Sequence, residues 1–189
     1  MKKIVLFASG SGSNVENIIH FFKGNPEVSI KCVLSNNKEA KVFERCNRLE
    51  VSALYFNRHS FYQSDCILEL LKSLNPDLIV LAGFLWKIPD NLIQNFPDKI
   101  VNIHPALLPK YGGKGMYGMH VHKSVKENNE PETGITIHFV NENYDEGAII
   151  AQKKVTLELG DTPETIAEKV HQLEYEYFPK VIQQVLMGQ

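Results

Sequence analysis

The sequence predicts an α/β protein: a doubly wound, mostly parallel sheet with a Rossmann-like N-terminal half. Three observations predict it. Short runs rich in Val, Ile and Leu alternate with stretches of helical period, one of those runs is apolar on both faces, and the residues able to do chemistry gather just after the runs. In open α/β sheets ligands bind at the carboxyl ends of the strands, so the third observation belongs with the first two.

In chain order, Lys3 to Ala8 reads as a strand and Asn14 to Phe22 as a helix. Val28 to Leu34, Glu39 to Leu49, Ala53 to Phe56 and Phe61 to Leu74 continue the alternation of strand and helix until Pro76 stops it. Leu78 to Ala82 is the doubly apolar run, suited to the centre of a sheet covered on both sides. Pro89 suits the first turn of a short helix ending near Phe96, and Lys99 to His104 forms a fifth strand. A glycine-rich loop is expected from Pro105 to Met119. Thr133 to Val140 and Ala148 to Leu157 then read as strands joined by a hairpin or a short crossover. Asp161-Thr162-Pro163 opens a last helix.

With 189 residues, 43% hydrophobic and 22% charged, the chain suits a single domain spanning 1–189. A net charge of -2 without blocks of like charge argues against a nucleic-acid partner, and no apolar run reaches the length of a membrane span. Cys32, Cys46 and Cys66 form no C-x-x-C pair, which argues against a disulfide framework and fits a cytoplasmic protein. Small-molecule substrates are the expected partners, and monomer and homodimer stay equally open.

The first loop, Ser9-Gly10-Ser11-Gly12-Ser13-Asn14, lies between strand and helix, where backbone N–H groups and the helix dipole favour an anion. Val15 stands where a dinucleotide loop has its third glycine, Ser35-Asn36-Asn37 offers no acid for a ribose, and no Gly-Lys-Ser/Thr follows. A monophosphate is the simplest ligand; a tight turn built from small residues is the alternative.

In the fifth strand the two-residue period places Asn102 and His104 on one face, opposite Val101 and Ile103. An amide donor beside an imidazole can hold a developing oxyanion and deliver a proton, as acyl transfer to an amine requires; the alternative is a His104 that packs against Pro105 and bonds a backbone carbonyl while Asn102 caps a turn. Asp145, in the turn Asn141 to Gly147, is either a solvated turn carboxylate or, where that turn folds over the same strand edge, a partner that raises the imidazole pKa and keeps it protonated; Glu146 is its rival. His171 and Glu174 share a face of the last helix, either as a recognition pair or as a solvated face. His120-x-His122 invites a metal, but no Cys or Glu at ligand spacing completes a site and the neighbouring glycines suggest a loop, so no metal is expected. Leu81 to Pro89, with Phe84 and Trp86, suits either core or the wall of a flat heterocycle pocket.

Taken together, Ser9 to Asn14, Leu81-Ala82-Gly83-Phe84-Leu85, the block Asn102 to Gly113 and Asp145-Glu146-Gly147 resemble the folate-dependent glycinamide ribonucleotide transformylase family over essentially the whole chain. The resemblance implies the formyltransferase fold, with phosphate binding in the N-terminal half and folate binding and catalysis in the C-terminal half. It also implies direct formyl transfer from 10-formyltetrahydrofolate to the amine of phosphoribosylglycinamide, through a tetrahedral intermediate and without a metal. His104 is then the proton donor, Asn102 the oxyanion holder and Asp145 the tuning carboxylate. Gly12, Ser13 and Asn14 would bind the ribose phosphate, with His171 and Glu174 on the glycinamide side. The folate pocket maps onto Leu85, Trp86, Lys87, Ile88, Asn102, Val140 and Asp145, and the folate tail falls to Ser60 or Arg58. Methionyl-tRNA formyltransferase and formyltetrahydrofolate hydrolase share the central block, and a non-catalytic phosphate-binding module would need only the first loop.

Overall fold

The computed structural model describes residues 1–188. They fall into two compact units, Met1–Val101 and 102–188.

The first unit holds β1 (Lys2–Ala8), α1 (Ser13–Phe22), β2 (Val28–Ser35), α2 (Val42–Arg48), β3 (Ala53–Tyr55), α3 (Arg58–Tyr62), α4 (Cys66–Leu74), β4 (Leu78–Leu81) and α5 (Asp90–Asn95). Its strands run in the order β3-β2-β1-β4, and every neighbouring pair is parallel. Parallel strands need helical crossovers on the sheet faces, which explains why β4 is buried along its whole length and reads as an unbroken apolar run. The strand order reverses between β1 and β4, the kind of switch point beside which ligands of open α/β sheets bind. Phe7 on β1 anchors an aromatic cluster with Phe56, Phe61 and Phe84, its ring 5.2 Å from Phe84 and edge-on.

One expected helix is two. The run expected from Phe61 to Leu74 begins earlier, at Arg58, and breaks after Tyr62. Asn57 caps α3 by accepting the Ser60 N–H at 2.9 Å. The polar stretch Gln63-Ser64-Asp65 then supplies nothing to bury on the inner face, so the apolar stripe restarts at Ile67.

The division between units falls within β5 (Ile100–His104). The second unit continues with α6 (Met119–Glu127), β6 (Glu132–Phe139), β7 (Ile149–Thr156) and α7 (Pro163–Met187). β6 and β7 are antiparallel, which settles the hairpin against the crossover, and a register irregularity lies between Ile137 and His138. Thr162 caps α7 in a reciprocal box with Thr165, Pro163 takes the first turn, and Asp161 binds Lys169 at 2.6 Å. Helix α6 is a correction: the sequence gives a loop around His120 and His122. Its inward residues are Val121, His122 and Val125, a stripe interrupted by a histidine and introduced by glycines. Both features hide a helical period.

Candidate active site

In the first unit, the turn after β1 is held from three sides. The Ser9 N–H donates to the Gly83 carbonyl at 3.0 Å, and the Ser9 hydroxyl accepts the Leu85 N–H at 2.9 Å, tying together the two loops that leave the switch point. Arg45 Nε, on α2, donates to the Ser11 carbonyl at 2.8 Å, and Arg45 and Arg48 both pair with Glu16 of α1. Gly12 begins α1 with φ at 73°, in the left-handed region, and a Cβ there would run into the backbone and side chain of Val42. The position therefore requires glycine twice over. The cap residue of α1 is Gly12, which has no side chain, and the amides of Ser13 and Asn14 stand at the positive end of the helix dipole. That arrangement suits an anion.

Leu85, Trp86, Lys87 and Ile88 follow β4. Leu85 is exposed, Ile88 is buried, and the Lys87 carbonyl accepts the Tyr62 hydroxyl at 2.8 Å. Trp86 lies within 6.0 Å of the Phe56, Phe61 and Tyr62 rings, and the Arg58 guanidinium lies 5.0 Å from the Tyr62 ring centre and 5.5 Å from that of Trp86. The Ser60 hydroxyl and N–H both donate to Asn57 Oδ1, so Ser60 serves the helix cap.

The second unit brings together Asn102, His104 and Asp145, as the sequence predicts, and adds His138. His104 is 3% exposed. Its Nε2 lies 2.7 Å from the Tyr111 carbonyl, an acceptor only, so Nε2 carries a proton; Nδ1 lies 3.6 Å from Asp145 Oδ2. Both ring nitrogens thus face oxygens. Asp145 adopts φ of 56°, accepts the Gly113 N–H at 2.9 Å, and places its other oxygen 3.7 Å from His138 Nε2. His138 Nδ1 faces the Phe139 carbonyl at 2.8 Å, and its Nε2 lies 3.2 Å from Asn102 Nδ2. Gly147 closes the turn so tightly that a Cβ would strike the Phe139 carbonyl. Residues 145 to 147 are thereby fixed against the strand that carries His138.

The electrostatic balance corrects one expectation. The sequence predicts an imidazole kept protonated by Asp145, but burial pushes the His104 pKa down by more than Asp145 and the Tyr111 carbonyl push it up, with His138 adding to the decrease. His104 is therefore neutral at rest near neutral pH. Burial alone would raise Asp145; His138, His104 and the Gly113 N–H together hold it below the usual carboxylate value.

The remaining predicted residues divide. Val140 is half-buried just past β6. Glu174 is buried on α7, not part of a solvated face, whereas His171 is exposed and stacks on Tyr175 with ring centres 6.2 Å apart. On α6, His120 is exposed and His122 buried, so the pair does not converge on one ion. The sequence reading missed Arg45, His138, Tyr111 and Glu130. For His138 a signal existed: Thr136 and His138 alternate with Ile135 and Ile137, the pattern that singles out Asn102 and His104.

The family described as formyl transferase matches residues 2–182. A phosphoribosylglycinamide formyltransferase of Bacillus subtilis (strain 168) is 39% identical, over 98% of this chain and 95% of its own. A chloroplastic phosphoribosylglycinamide formyltransferase of Arabidopsis thaliana is 38% identical over 96% of this chain, which spans 64% of that protein. The crystal structure of glycinamide ribonucleotide transformylase 1 from Geobacillus kaustophilus superposes with a TM-score of 0.88 at 35% identity, covering 98% of this chain and 99% of that one. With the sequence match running nearly end to end and the backbone following it, the chain belongs to the formyl transferase family.

Proposed function

We propose that the chain is a phosphoribosylglycinamide formyltransferase, which moves a formyl group from 10-formyltetrahydrofolate to the amine of N1-(5-phospho-D-ribosyl)glycinamide in de novo purine synthesis. The observation that carries the reading is the buried His104, set between the Tyr111 carbonyl and Asp145 with Asn102 on the same strand face, in a chain of this family. Acyl transfer from one amine to another is proton-neutral overall: the attacking nitrogen loses a proton and the leaving nitrogen gains one. A neutral His104 with Asp145 beside Nδ1 suits that traffic, since Nδ1 accepts a proton, is stabilised as a cation by the carboxylate, and then donates to the leaving N10. Asn102 turns its amide from His138 to the oxyanion of the tetrahedral intermediate. Gly12, Ser13 and Asn14 take the ribose phosphate, while His171 and Glu174 serve the glycinamide side. Leu85, Trp86, Lys87, Ile88, Asn102, Val140 and Asp145 serve the folate, and the whole is read as one domain working in the cytoplasm. Mass analysis of the ribonucleotide after reaction tests the proposal: it gains one formyl group, whereas free formate with unmodified ribonucleotide would make the chain a hydrolase.

Three variants test the binding roles. Gly12→Ala forces a side chain onto Val42 and strains the turn, so KM for the ribonucleotide rises by about tenfold or more while KM for the folate stays near the parent's. Equal KM values for the ribonucleotide would remove the loop from phosphate binding. For the folate tail we choose Arg58 over Ser60, because Ser60 is engaged with Asn57 and Arg58 brings a guanidinium beside Trp86. Arg58→Ala should raise KM for the folate by about tenfold with kcat within about twofold, and Ser60→Ala should not. The reverse order would return the tail to Ser60.

A further inference from the structure

Beside the groups assigned above, the second unit carries a second polar cluster. Glu130, in the connection between α6 and β6, accepts Lys110 Nζ at 2.9 and 3.2 Å and the Tyr111 hydroxyl at 2.9 Å. Lys110 first, then Tyr111, holds the Glu130 carboxyl below its ordinary value; burial and Glu130 push the Tyr111 phenol up to about 12. The hydroxyl therefore stays protonated and donating. Tyr111 itself has φ of 57°, a conformation that costs a bulky residue energy and persists only where neighbours impose it. From this constrained residue the backbone carbonyl meets His104 Nε2 at 2.7 Å, and two residues later the Gly113 N–H meets Asp145 at 2.9 Å. One short segment thus holds both members of the imidazole–carboxylate pair, and Glu130 anchors that segment through a side chain.

We propose that Glu130 is a positioning residue for formyl transfer: by holding the Tyr111 hydroxyl it fixes the Tyr111 carbonyl that sets the ring orientation and tautomer of His104. The proposal rests on the reading of His104 as the group that moves the proton. Without the clamp the Tyr111 carbonyl turns away, Nε2 loses its acceptor, and the imidazole populates orientations in which Nδ1 no longer faces Asp145. The charged and titratable groups around His104 are Asp145 from the β6–β7 turn, His138 from β6 and His122 from α6. Of the groups that favour a protonated ring, the Tyr111 carbonyl is the one that depends on Glu130.

The test compares Glu130→Ala, Tyr111→Phe, the double variant, Glu130→Gln and His104→Ala, each assayed for kcat, both KM values and the pH dependence of kcat. Glu130→Ala and Tyr111→Phe should each lower kcat by about tenfold with both KM values within about twofold, the effect of losing one charge-assisted hydrogen bond. Losing the Tyr111 acceptor favours the neutral ring, the form that accepts the first proton, so the acid limb of the profile moves to lower pH. The double variant should be no worse than either single, and Glu130→Gln, which keeps Oε1 as an acceptor, should restore most of the loss seen in Glu130→Ala. Tyr111→Phe removes one oxygen atom, so the clamp stays testable even if Glu130→Ala folds poorly. A parental kcat and pH profile in Tyr111→Phe, or multiplying losses in the double variant, would overturn the clamp while His104→Ala remains inactive. Full activity in His104→Ala would overturn the clamp together with the proton-transfer reading beneath it.

Discussion

His104→Ala lowers kcat by about a thousandfold while both substrates bind nearly as tightly as to the parent. The size follows from what general acid–base catalysis by one placed side chain contributes, about 10² to 10⁴ in rate. The selectivity for kcat follows from position: His104 is 3% exposed and bonded to the Tyr111 carbonyl, so its part is played when protons move, not when substrates dock. Steady-state kinetics with equilibrium titration of each substrate checks both halves. A loss confined to KM would make His104 a binding residue. Removing Asp145 should act in the same direction but less strongly, because it leaves the imidazole in place and takes away only the charge beside it.

Acid destabilisation is the second large effect, and it centres on His122. This side chain is 2% exposed on α6, and its Nδ1 has no hydrogen-bond partner among the described residues. Burial, reinforced by His171 and His104, pushes its pKa from 6.5 down to about 4. Between those values the unfolded chain binds a proton that the folded chain refuses, so stability is full above pH 6.5 and falls as pH drops through the window. The slope approaches about 1.4 kcal/mol per pH unit, for a total of about 3 kcal/mol by the lower end. His104 adds to the loss in the same direction, and Asp145 extends it to lower pH, where protonation removes a carboxylate that the fold favours ionised. Urea unfolding across this range should show the steep decline in the parent and a shallower one in His122→Leu. An unchanged pH slope in that variant would assign the acid sensitivity to other groups.

The strand–helix alternation was legible because it depends on periodicity, and β4 on the absence of polar residues from either face. What escaped was local. Helix α6 turns a histidine toward the interior and follows four glycines, so its apolar stripe is too thin to register. The break between α3 and α4 depends on Asn57 capping one helix and on three polar residues before the next, details that an apolar count passes over. Within the site, Asn102 and His104 were readable from strand parity, whereas the turn before Gly147 offered both Asp145 and Glu146 and the family resemblance chose between them. The sign of the His104 shift was not readable, since it weighs burial against one carboxylate, and burial is set by packing. Arg45, Tyr111 and Glu130 escaped for a related reason: Arg45 and Tyr111 act on backbone carbonyls or through one, and Glu130 acts through Tyr111, so residue type and spacing carry no mark of the role.

The central claim is that formyl leaves the folate only when the ribonucleotide amine is there to receive it. The direct measurement is the absorbance change on mixing the protein with 10-formyltetrahydrofolate, or its 5,8-dideaza analogue, with and without glycinamide ribonucleotide. Deformylation that begins with the ribonucleotide and stops without it is the predicted result. Deformylation at the same rate in its absence, or none in its presence, would contradict the claim.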